Sequence, residues 1–190
     1  MSTVKNDNYI NRFAILANIG EIVFHIDDLA RLWGISDKNT LHTTLKRYAQ
    51  KKWLYRIYRG FYALRRIEKV DPLLLAYKAV HDYCYISTET VLVEHGIIQQ
   101  SLNSITLVSA KSYQLNIFDT VAHVRQLADQ YLYNDVGVII RDGYRIATLE
   151  RAVADMLHYN PQYYFDAGEL LNWKKINLLQ KQIGYAVTKP

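Results

Sequence analysis

Cysteine is almost missing from this chain of 190 residues. Cys84 stands alone, which excludes an intrachain disulfide framework and any cysteine-rich zinc site and suits a reducing compartment. No apolar run approaches the roughly 18–20 residues of a membrane span. Met1 to Asn8 is polar, without the apolar core of a secretion signal. The sequence therefore predicts a cytoplasmic protein with no membrane partner. The eight glycines form neither GxGxxG nor a P-loop, and HExxH, GxSxG and CxxC are all lacking. Restriction-type metal nucleases need an acidic residue two positions before a lysine, and no Asp-x-Lys or Glu-x-Lys occurs. His81, His123 and His158 stand alone, and Glu94-His95 is an isolated pair. No catalytic site, metal or cofactor is expected.

Acidic charge is missing more locally. Between Lys38 and Ile67 there is no Asp or Glu, while Lys38, Lys46, Arg47, Lys51, Lys52, Arg56, Arg59, Arg65 and Arg66 are basic. The net charge is +5, unevenly spread. Residues 1–70 hold 13 basic and 6 acidic side chains, and residues 71–190 hold 10 and 12. Such asymmetry points to a nucleic-acid-facing head, about residues 1–67, on a separate body, about residues 71–190.

In the head, Ile10, Phe13, Ala14 and Ala17 follow helical spacing up to Gly20. Ile22-Val23-Phe24 reads as a short strand. Asp27 can cap a second helix that ends at Gly34, and Ser36 can cap a third. Two helices joined by a short Gly-containing turn suggest a helix-turn-helix. In the third helix Leu41, Leu45 and Tyr48 take the core side. Asn39, Thr43, Lys46 and Gln50 take the opposite side, flanked by Thr40, His42 and Arg47. All of these can hydrogen-bond a base edge or a phosphate. Residues 53–58 and 61–64 then flank Arg59-Gly60 as a hairpin, although their alternation is not clean. Arg56 on the strand and Arg59 at the tip are the expected phosphate contacts. The bland alternative is a solvated basic face and an edge strand kept soluble by arginine.

The body starts with a helix from Pro72 to His81 and a short strand at 83–86. Ser87 can cap a helix running to His95. Strands are expected at 104–110 and, more weakly patterned, at 114–127. Asp142-Gly143 between 136–141 and 144–147 is a strong hairpin signal. Thr148 can cap a helix with Leu149, Ala152, Val153 and Met156 along its apolar stripe, and the chain reads as helical again from Pro161 to Ile183. Glu150, Arg151 and Asp155 share one side of the Thr148 helix. An Arg151–Asp155 salt bridge is the simpler reading of them, and a partner-neutralising surface is the alternative.

Two clusters resemble a known family. One runs Leu29-Ala30-Arg31-Leu32-Trp33-Gly34, then Leu41 to Leu45, then Lys51 through Leu64 with its Arg59-Gly60-Phe61-Tyr62-Ala63-Leu64 wing. The other is Tyr85-Ile86-Ser87 through Glu94-His95-Gly96, followed by Arg145-Ile146-Ala147-Thr148-Leu149-Glu150-Arg151-Ala152-Val153-Ala154-Asp155. In this order and spacing they resemble the AbiEi family, antitoxins of bacterial abortive-infection (type IV) toxin–antitoxin operons. Leu149 stands where the family usually has proline. The resemblance implies a winged helix-turn-helix head and a mixed α+β antitoxin body, within an α+β fold class. It implies repression of the chain's own promoter through inverted repeats in double-stranded DNA. It also implies opposition to a nucleotidyltransferase-like toxin without a stable complex. The residues themselves support DNA binding. They leave open a winged-helix module that docks the toxin directly, and a ligand-sensing repressor.

Overall fold

A computed structural model describes residues 12–58, 60–100 and 103–188. The chain divides into two compact units, with the boundary between Asp71 and Pro72. The fold is α+β, with one sheet in each unit. Among the described residues no helix is long and apolar enough to cross a membrane.

The first unit opens with α1 (residues 12–19). Its buried side is set by Leu16 and half-buried Phe13, while Ala14 and Ala17 are exposed. The larger apolar side chains turn the helix, because each buries more surface than a methyl group. Ile10 lies outside the described residues. Next come β1 (Val23–His25), α2 (Ile26–Trp33) and α3 (Lys38–Gln50). The cap of α2 is His25, not Asp27. Its ring accepts from Asp27 N (3.3 Å), and the His25 backbone N–H donates to the Asp28 carboxylate (3.2 Å). The cap of α3 is Asp37 rather than Ser36, accepting from Thr40 N at 2.6 Å. A carboxylate there both satisfies a free N–H and complements the helix dipole.

Gly34 at φ 62° closes α2. Beyond α3 the strands β2 (Tyr55–Tyr58) and β3 (Phe61–Ala63) form a hairpin. The antiparallel sheet runs β1-β3-β2. Leu16, Phe24, Leu29, Trp33, Leu41, Leu45, Tyr48, Leu54 and Tyr62 make one core beneath it. A register shift between Arg56 and Tyr58 explains why the hairpin sequence does not alternate cleanly.

The second unit contains α4 (Pro72–Ala79), β4 (Cys84–Ile86), α5 (Glu89–Glu94), β5 (Ser104–Ser109), β6 (Tyr113–Ile117) and β7 (Thr120–Gln126). It continues with α6 (Asp129–Leu132), β8 (Val138–Arg141), β9 (Tyr144–Ala147), α7 (Leu149–Tyr159) and α8 (Trp173–Ile183). Its six strands lie in the order β6-β7-β5-β4-β9-β8, with β5–β7 and β4–β9 parallel. Thr148 caps α7 as its sequence suggests. Two expectations fail. Ser87 does not cap α5, because its hydroxyl donates instead to Asp155 at 2.7 Å. The stretch after Pro161 is irregular up to a short 3-10 turn at Gly168–Leu170, and only α8 is regular helix.

Candidate nucleic-acid interface

Helix α3 separates its side chains sharply. Leu41, Thr44, Leu45 and Tyr48 are buried. Lys38, Asn39, Thr40, His42, Thr43, Lys46, Arg47 and Gln50 are exposed. Not one of the thirteen residues of α3 is acidic. The apolar positions recur every three or four residues, so the polar ones are left together on the far side.

The hairpin stands beside this helix. A cleft of about 570 Å³ lies between them, lined by His42, Lys46 and Gln50 from α3 and by Arg56, Gly60 and Tyr62 from the hairpin. Leu45, Ala49 and Ile26 complete it. Two features fix the hairpin in this place. Ile26 N donates to Gly60 O (2.7 Å), and the Phe61 ring lies 5.1 Å from that of His25. Arg56 is exposed over the buried Tyr62. Burial pushes the Tyr62 phenol above its ordinary value, and the Arg56 charge opposes that shift. The cleft thus offers two cationic side chains, an imidazole and an amide, with no carboxylate in its lining.

The expected residues divide by place. His42, Lys46 and Arg56 come together at the cleft. Asn39 and Thr43 are exposed on the same helix but do not line it. Thr40 is partly engaged, since its backbone and side chain both bond Asp37. These bonds hold the Asp37 carboxyl below the ordinary range, the side-chain bond contributing most. Arg47 lines a separate recess of about 210 Å³ with Tyr48, Gln50, Lys51 and Trp53. Lys51 Nζ sits 4.7 Å from the centre of the Trp53 ring. That recess is not evident in the sequence, although Lys51, two positions before Trp53, is close enough along the chain for such a contact. Arg59 lies outside the described residues.

In the second unit, Arg151 and Asp155 are each fully buried and paired at 2.9 Å, while Glu150 is half-buried at the surface. The pair is therefore not part of any exposed surface on α7. Among the described residues, no group of three His, Cys, Asp or Glu side chains is arranged to hold a metal ion.

No protein-family model matches the chain, and no curated protein matches it. A solved structure that is similar is the RV2827C protein from Mycobacterium tuberculosis. The likeness has a TM-score of 0.51 at 11% sequence identity, and covers 91% of this chain and 71% of the other. At that identity it concerns the fold alone.

Proposed function

We propose that this chain is a DNA-binding autorepressor of the antitoxin type. The carrying observation is the acid-free exposed side of α3 facing Arg56 across a cleft. Helices α2 and α3, followed by the β2–β3 hairpin, support reading the first unit as a winged helix-turn-helix. In that reading α3 enters the major groove, with Asn39, Thr40, His42 and Thr43 toward base edges. Lys46 and Arg56 hold one phosphate strand in the cleft, with Arg47 and Arg59 on flanking phosphates. The antitoxin role rests on the resemblance of both sequence clusters to the AbiEi family. The partners are then the chain's own promoter and a nucleotidyltransferase-like toxin encoded beside it.

A gel-shift titration on the promoter upstream of its own gene and on a scrambled duplex tests the repressor reading. Selective, salt-sensitive retardation of the promoter is expected; equal retardation of both, or none, contradicts it. Co-expression with the neighbouring gene tests the antitoxin step: growth should be arrested by that gene alone and restored by this chain. Co-purification of the two proteins as a stable complex would instead support direct docking.

A further inference from the structure

Strand β8 is the last strand of the six-stranded sheet, and among the described residues its only strand partner is β9. Gly137 O accepts from Thr148 N (2.7 Å), so positions 137, 139 and 141 turn their backbone groups toward β9. Val138 N is turned the other way, bonding back to Asp135 O (2.9 Å). Alternation therefore points both the N–H and the C=O of Ile140 outward from the sheet edge. Ile140 is 77% exposed and Ile139 49% exposed. Tyr133 and Val136, just before the strand, are exposed as well.

Edge strands are normally blunted by lysine, proline or a bulge. The sequence Val-Ile-Ile-Arg contains neither lysine nor proline, and its pairing with β9 runs without a register shift. Its one charge, Arg141, is held by both carboxylate oxygens of Glu94 (2.6 and 2.9 Å). The opposite edge differs, because β6 presents exposed Gln114 and Asn116.

We propose that β8 is a self-association edge, where two copies of this chain pair antiparallel about a two-fold axis at Ile140. The outward donor and acceptor belong to one residue. A second copy therefore meets each of them with its complement, and two hydrogen bonds close around the axis. In that register Ile140 packs on its own copy. Ile139 lies opposite Arg141 of the copy, and Val138 lies opposite Asp142 of the copy. No like charges are opposed. A contact this short falls below the roughly 1,200 Å² of a standard interface, so the dimer is a weak one in the micromolar range. Its meaning for DNA rests on the proposed function: two heads on one duplex gain by avidity and fit a palindromic site.

The test uses the full chain without DNA. Light scattering over roughly 1–100 μM should show the mass rising from one chain toward two. Ile140→Lys opposes two like charges at the axis and should stay monomeric, with an unchanged melting temperature because the position is exposed. Ile140→Cys gives a register check. Paired positions there have Cα atoms ~5.5 Å apart, inside the disulfide range of ~4.4–6.8 Å, so oxidation should yield a covalent dimer. Ile139→Cys should not, since its twin lies two residues along. Cys84 does not compete, being 2% exposed, with burial pushing its thiol up to about 12. A monomer at every concentration overturns the proposal, as does a dimer that survives Ile140→Lys or cross-links through Ile139→Cys. Failure of DNA binding is distinguishable, because it leaves these masses unchanged.

Discussion

Arg151 and Asp155, one turn apart on α7, form an ion pair with both side chains fully buried. Every donor and acceptor of the pair is occupied. The guanidinium also donates to Asn134 O, Val136 O, Tyr131 O and the Tyr85 hydroxyl. The carboxylate also accepts from Tyr85, Ser87 and Tyr185. Burial opposes the charge on Arg151, but Asp155 and the two tyrosines outweigh it and raise its pKa. Burial, reinforced by Asp155, pushes the Tyr85 and Tyr185 hydroxyls up, so both stay neutral donors. The network ties α7 to β4, to α6 with its following loop, and to Tyr185 beyond α8.

Breaking this pair from one side leaves an uncompensated buried charge. Asp155→Ala is expected to cost about 3–5 kcal/mol, read as a lowered urea midpoint. Any loss of function should follow the loss of folded protein. A variant as stable as the parent but inactive would return Asp155 to a functional surface.

These contacts mark where the sequence is legible. Arg151–Asp155 is an i, i+4 pair, and local spacing alone suggests it. The Thr148 cap, the Asp142-Gly143 turn and the two sides of α3 are equally local. Ser87 looks like a cap because its true partner, Asp155, lies 68 residues away. The bulge after Arg56 hides the strand period. The cleft needs β2 placed beside α3, and the open edge at Ile140 needs the strand order of a sheet built partly from parallel, non-local pairings.

Gly60 positions the hairpin without carrying charge. It adopts φ +75°, and an added Cβ would lie 2.9 Å from His25 Nε2. Gly60→Ala is expected to cost about 1–2 kcal/mol from the left-handed backbone alone, and to weaken DNA binding with every charge retained. Melting curves and fluorescence anisotropy read the two effects. Unchanged values in both would show that the turn tolerates displacement.

Recognition and grip should separate by residue. Asn39→Ala and Thr43→Ala are expected to lose discrimination at particular bases, by about 1–3 kcal/mol each, while binding to scrambled duplex is retained. Competition titrations with single-base operator variants measure this. An intact preference in both variants would remove α3's N-terminal half from the reading surface.

Glu94 joins α5 to Arg141 of β8 through two hydrogen bonds. The bonds from Arg141 hold its pKa below the ordinary value of 4.5, against a smaller opposing effect of burial. A lowered carboxylate pKa stabilises the fold above the unfolded value, and that stability is lost as pH falls through the folded one. Wild type should therefore exceed Glu94→Gln in urea midpoint at neutral pH. The gap should close as pH drops through and below 4.5. A gap that widens on acidification would reverse the sign.

The central claim is that the cleft between α3 and β2 grips a DNA phosphate strand. Its most direct test is the slope of log affinity against log salt, for wild type, Lys46→Ala and Arg56→Ala, on promoter and scrambled duplex. Each phosphate contact contributes a slope of about −0.9 through counterion release. Each variant should weaken binding to both duplexes alike and flatten the slope by about one unit. Unchanged affinity and slope in both variants would contradict the account.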